Sequence, residues 1–142
     1  MSAYEALKLS NQLCFPLYTA ARKITAHYTP LLKPLGLTYT QYIVLMCLWE
    51  RDGMTVGELG ERLYLDSGTL TPLLKKLEGA GIITRSRNTH DERVVTASLT
   101  DKGRQLRERC KDIPTAVGSD VPLDEQESLQ LYETLYKIIG AL

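Results

Sequence analysis

The chemistry-bearing residues fall into two groups. The first is a thiol with nearby phenols. Cys14 stands in Asn11-Gln12-Leu13-Cys14-Phe15-Pro16-Leu17-Tyr18, two residues before a proline. Proline has no N–H and a fixed φ, so it fits the first turn of a helix and breaks an interior. Pro16 therefore sets Cys14 at a helix N-terminus, where the partial positive charge of the backbone favours a thiolate. A thiolate attacks peroxides and is oxidised to sulfenic acid. Tyr18 lies one turn on, and Tyr28 and Tyr39 are expected to fold back towards the sulfur as hydrogen-bond donors. The competing reading is a small buried apolar side chain, the usual state of free cysteine. Cys47, inside the apolar run Ile43 to Trp49, and Cys110, on the Leu106, Cys110, Ile113 stripe, read as core.

The second group is cationic. Ser67, Thr69 and Thr71 offer hydroxyls to base edges and phosphates, and Leu70 or Pro72 an apolar contact for a thymine methyl. Lys75, Lys76, Arg85 and Arg87 come next, with Arg93 beyond. Between residues 67 and 87 four cations face one acid, Glu78, a local net charge of +3 in a chain of net charge zero. The competing reading is an ordinary solvated helix. His27 and His90 are isolated, so no metal site is expected. There is no glycine-rich phosphate loop and no Gly-x-Ser-x-Gly, so neither a cofactor nor an enzyme is expected.

Helices must position both groups. At 142 residues, 44% hydrophobic and 24% charged, the chain has the length of one globular domain. Leu13, Leu17, Ala20, Ala21, Ile24 and Tyr28 keep helical spacing, and Pro30, Pro34 and Gly36 break the next segment into a short turn-like helix. Thr38 and Gln41 form a capping box ahead of a helix from Tyr39 to Arg51, and Thr55 with Glu58 a second one ahead of a helix to Tyr64. Asp66-Ser67 cap a helix from Gly68 to Ala80, which Gly81 ends. The β-branched runs 82–87 and 93–99 flank a polar tip and read as a two-stranded hairpin. Thr100 caps a helix to Ile113, interrupted by Pro114, Gly118 and Pro122. A last helix, Asp124 to Ile139, has two apolar stripes, and a second copy of the chain covers the spare one most simply. The fold class is mainly α with a small β-hairpin wing: a winged helix-turn-helix. No apolar run approaches the ~20 residues of a membrane span, the N-terminus lacks signal-peptide features, and three widely spaced cysteines suit a reducing cytoplasm.

The stretch Leu65-Asp66-Ser67-Gly68-Thr69-Leu70-Thr71-Pro72-Leu73-Leu74-Lys75-Lys76-Leu77-Glu78, together with Gly81-Ile82-Ile83-Thr84-Arg85, Asp91-Glu92-Arg93 and Leu99-Thr100-Asp101-Lys102-Gly103, resembles the DNA-binding core of the MarR family. Asn11 to Tyr18, with Leu37-Thr38-Tyr39-Thr40-Gln41-Tyr42, resembles its OhrR type, the organic-hydroperoxide-sensing repressors. The resemblance implies a homodimer dimerised through N- and C-terminal helices (1–36 and 100–142), carrying winged units (37–99) to double-stranded DNA with a palindromic operator. It implies that Cys14 is the peroxide-reacting thiol, that Tyr28, Tyr39 and Tyr18 line its pocket, and that Asp91 supports the wing. A two-cysteine subtype carries its second cysteine near the start of the last helix; here Gly118-Ser119-Asp120-Val121-Pro122 has none, and Cys110 is earlier. The expectation is that Cys14 sulfenic acid is captured by a small cellular thiol, with Cys110 the less favoured resolving thiol. The competing functions are a repressor released by an aromatic ligand and a thiol peroxidase.

Overall fold

The computed structural model describes residues 2–142. Among these residues eight α-helices and three short strands run in the order α1 (Ala3–Ala6), α2 (Cys14–Leu32), α3 (Tyr39–Glu50), β1 (Met54–Thr55), α4 (Val56–Leu63), α5 (Ser67–Gly79), β2 (Ile83–Arg87), β3 (Val95–Leu99), α6 (Asp101–Cys110), α7 (Ile113–Asp120) and α8 (Glu125–Ala141), with single 3-10 turns at Leu9–Asn11 and Lys33–Leu35. The helix starts are written in the capping residues. The Thr38–Gln41 box forms in full, as does Asp124–Glu127 ahead of α8. Asp66 accepts from the Thr69 N–H at 2.7 Å and Thr100 from Gly103 at 3.2 Å, each satisfying a backbone donor the helix leaves open. The expected box at Thr55 forms only in half: Thr55 accepts from Glu58 N, while the Glu58 carboxylate is drawn to Arg51 instead.

Three expectations are corrected. Pro30 does not break α2, which runs on to Leu32, because Leu32 is buried and its packing outweighs one lost backbone bond near the helix end. The wing is three-stranded: Met54 and Thr55 pair antiparallel with Ala97 and Thr96, giving the order β1-β3-β2. The segment after Cys110 is a separate helix, α7, with Pro114 in its first turn, where proline is harmless.

Leu45, Leu48, Leu59, Leu70, Leu74, Leu77 and Ile83 fill the centre of the core, beneath α3, α4, α5 and the sheet. The core also takes in Leu106, Cys110, Ile113 and Val117, so α6 and α7 close the winged unit from behind, across the expected boundary at residue 100. Gly81 leaves α5 in the left-handed region (φ 73°), which only glycine adopts freely. The two ends of the chain differ. No residue of α8 is buried, and Leu129, Leu131, Tyr132, Tyr136, Ile138 and Ile139 are exposed along it. Among the described residues no single helix is long and apolar enough to cross a membrane.

Candidate redox site and nucleic-acid interface

Cys14 is the first residue of α2 and is exposed. The helix start has no side-chain cap and no acid in its first turn, so its backbone N–H groups present an uncompensated positive end. Tyr18, one turn on, is exposed, and the Arg22 guanidinium lies 5.8 Å from its ring centre. Tyr28 and Tyr39 are half-buried with ring centres 4.9 Å apart, and Tyr42 completes a triangle at 5.8 and 6.3 Å. Burial, reinforced by Tyr28, raises the Tyr39 pKa above the usual 10.0, and the same causes push Tyr42 up to about 12. Both phenols therefore stay protonated at neutral pH and remain donors.

These phenols do not fold back onto Cys14 within one chain. Cys14 and Tyr28 lie on the same helix, and 14 residues at about 1.5 Å each separate them by roughly 21 Å. The expected fold-back fails within one chain because a continuous α2 carries Tyr28 away from its own Cys14. The other thiols stand apart. Cys47 and Cys110 are 4% and 3% exposed, and burial pushes both up, away from thiolate. Cys110 lies within the core of its own chain, packed with Leu106, Ile113 and Val117 in one buried cluster.

The cationic face forms around α5. Ser67, Thr69, Pro72, Lys75 and Lys76 are exposed along it and Thr71 is half-buried. Leu70 is 0% exposed. It belongs to the Leu70, Leu74, Leu77 core stripe, and the expected contact with a base falls to Pro72 alone. Arg85 is held back as well. The Glu78 carboxylate accepts from the Arg85 backbone N–H at 3.1 Å and its Nη2 at 3.0 Å, which straps β2 to α5 and holds Glu78 below its usual pKa. Arg87 donates to the Glu92 carbonyl at 2.7 Å across the base of the wing. At the tip Asp91 accepts from the Arg93 backbone N–H and Nε, both at 3.1 Å. The Arg93 side chain is nonetheless 91% exposed, a cation aimed outward from a fixed mount. The described residues contain no cluster of side chains able to hold a metal ion.

Sequence reasoning missed Tyr42, which joins the Tyr28–Tyr39 cluster, and Trp49, which packs behind it on Tyr42 without reaching the other two phenols. Both sit in the most apolar run of the chain, where an aromatic reads simply as core. Their signal was the spacing from Tyr39, at i+3 and i+10, which keeps all three on one side of α3.

The MarR family model matches residues 37–95. The chain is 46% identical over 139 residues to an organic hydroperoxide resistance transcriptional regulator of Bacillus subtilis, covering 98% of this chain and 95% of that protein. Its fold is similar to that of reduced AbfR bound to DNA, AbfR being a protein of Staphylococcus epidermidis, with a TM-score of 0.80 at 38% identity over 97% and 96% of the two chains. Against disulfide-formed AbfR the TM-score is 0.64 at 39% identity, over 96% of each chain. Near-complete coverage by a relative of this identity, with the family model centred on the helices and wing around α5, establishes that the chain belongs to the MarR family.

Proposed function

We propose that the protein is a homodimeric, DNA-binding transcriptional repressor that senses organic hydroperoxides through Cys14 and then releases its operator. The observation that carries this reading is the separation of an exposed thiol from the phenols suited to hold it, in a chain whose α8 carries an exposed apolar face. A groove of about 450 Å³ between α2 and the α7–α8 region, lined by Ala20, Ile24, Val117, Leu123 and Leu131, continues the apolar face of α8. A second copy seated there runs its α2 past the first, bringing Tyr28 and Tyr39 of the partner subunit to Cys14.

In that composite pocket the phenols donate to the Cys14 thiolate. The sulfur attacks one oxygen of the hydroperoxide. An S–O bond forms as the O–O bond breaks, and the leaving alkoxide takes a proton to depart as an alcohol. A small thiol then attacks the sulfenic sulfur. An S–S bond forms, the S–O bond breaks and water leaves. The bulky mixed disulfide displaces one subunit against the other. Each α5 enters a major groove of a palindromic site and each Arg93 an adjoining minor groove, where narrow A·T-rich stretches attract arginine. Ser67, Thr69, Thr71 and Lys76 contact bases and phosphates. The similarity to a DNA-bound, reduced relative and to a hydroperoxide resistance regulator supports this reading. The protein is not an enzyme, and its reduced thiols and DNA target fit a cytoplasmic residence.

The test is operator affinity and intact mass, before and after one equivalent of cumene hydroperoxide with a small thiol. The DNA is a duplex that the reduced protein selects from a random pool. The expected result is release together with the added mass of one thiol per chain, and no response in Cys14→Ser. Release from Cys14→Ser would favour reversible ligand binding, and continuous peroxide consumption would favour a peroxidase.

A further inference from the structure

The sensing pocket and the reading helix are joined by one continuous line of side chains. On α3, Tyr39 touches Tyr28 and Tyr42, and the Tyr42 ring meets the Trp49 ring edge-on, with centres 6.3 Å apart. At the far end of α3, the Trp49 indole N–H donates to the Gly103 carbonyl at 2.9 Å, spanning 54 positions in sequence. Gly103 sits in the first turn of α6, and a Cβ there would lie 2.2 Å from the Ile82 carbonyl oxygen. That turn of α6 therefore lies directly against the chain leaving α5, with no slack between them. Thr100 clamps the same spot: its N–H donates to the Ile82 carbonyl at 3.0 Å and its hydroxyl to the Gly81 carbonyl at 2.6 Å. Ala80, Gly81 and Ile82 are the residues that connect α5 to β2.

We propose that Trp49, through its hydrogen bond to Gly103, is the positioning residue that passes the state of the phenol cluster to the exit of the reading helix. The inference rests on the peroxide-sensing reading above. The physical reason lies in stiffness. The aromatic rings fill one side of a single helix and cannot deform independently of it. When Tyr28 and Tyr39 are displaced, α3 moves with them. The half-buried indole N–H must keep an acceptor, so it draws the α6 turn along. Because α6 lies against Ile82, the exit of α5 moves too. Coupling of this kind needs contiguous packing and directional bonds, and both are present along the whole line.

Trp49→Phe keeps a ring at the Tyr42 contact and removes only the donor. Three quantities are measured: Kd of the reduced protein for the selected duplex, the rate of Cys14 oxidation by mass, and Kd after oxidation. The expected result is a wild-type reduced Kd and oxidation rate, with the Kd ratio of oxidised to reduced protein lowered from an ordinary coupling of about 5–150-fold to about twofold or less. An unchanged ratio would overturn the proposal. Loss of operator binding already in the reduced variant would also overturn it, by making Trp49 a strut that merely holds the fold. The unsubstituted protein gives a second readout, because Trp49 is its single tryptophan. Its emission is expected to shift in step with Cys14 oxidation, and emission that stays constant through oxidation and release would overturn the link. Wild-type protein that keeps the duplex after Cys14 is oxidised would instead defeat the sensing function itself, and the link with it.

Discussion

The winged unit and the terminal helices both carry apolar stripes, yet the stripes end in opposite states. Leu45, Leu59, Leu70 and Leu74 are 0% exposed, whereas Leu129 and Tyr132 on α8 are 57% and 60% exposed. One chain thus completes the core of the winged unit and leaves the apolar face of α8 open. The thiol sits at the start of α2 and the phenols near its end, beyond each other's reach. On the function proposed above, the site forms only where two subunits meet, so a signal at one sulfur alters their relation and with it both reading helices.

The contrast is broken most severely on the terminal helices. Leu131→Asp with Ile138→Asp leaves the core of the winged unit untouched and places charge in the exposed apolar face of α8 that the proposed dimer covers. Sedimentation is expected to show loss of the dimer. Operator affinity should fall roughly 10²- to 10⁴-fold as the two half-sites lose their linkage. A dimer that persists would mean α8 is covered by something else.

Within the winged unit the contrast separates stability from binding. Leu70→Ala is expected to cost about 2–5 kcal/mol in urea unfolding, because it opens a cavity in a fully buried site. Arg93→Ala should leave unfolding unchanged while lowering the salt slope of operator binding by about 1. An Arg93→Ala protein with the wild-type slope would show that the wing tip stays off the DNA.

The smallest effect concerns Asp66. The Thr69 backbone N–H, with its hydroxyl second, holds the Asp66 carboxyl below its usual 3.8. A depressed carboxylate contributes stability that is fully present above the unfolded value and is lost as pH falls through the folded one. The Asp66 contribution to Tm should therefore be full and independent of pH near neutrality, and Tm should decline more steeply below pH 3.8 in the wild type than in Asp66→Asn. Parallel acid declines in the two proteins would mean that the ionised form adds nothing to the cap.

Local signals were legible and tertiary ones were not. Thr38, Asp66 and Thr100 announced their helices because a cap needs only the next three residues. Strand β1 left no trace, since two residues carry no periodicity and Met54 is extended only because Ala97 is there to pair with it. Leu70 was assigned to DNA by its neighbours Thr69 and Thr71, although its spacing from Leu74 and Leu77 already marked it as core. Cys14 was legible from Pro16, a local cue. The placing of Tyr28 and Tyr39 was not, because it depends on how far α2 continues past Pro30, and that is decided by the burial of Leu32.

The claim that the sensing pocket is shared is tested most directly with a mixed dimer. One subunit carries Cys14→Ser, and the other carries Tyr28→Phe with Tyr39→Phe and keeps Cys14. The rate of sulfenic acid formation at the single remaining Cys14 is read by mass. The account predicts oxidation at the wild-type rate, because intact phenols reach the thiol from the Cys14→Ser subunit. The homodimer of Tyr28→Phe with Tyr39→Phe should oxidise roughly 10- to 100-fold more slowly, the scale of losing hydrogen bonds to a charged group. A mixed dimer as slow as that homodimer would contradict the account, for it would mean that each thiol depends on the phenols of its own chain.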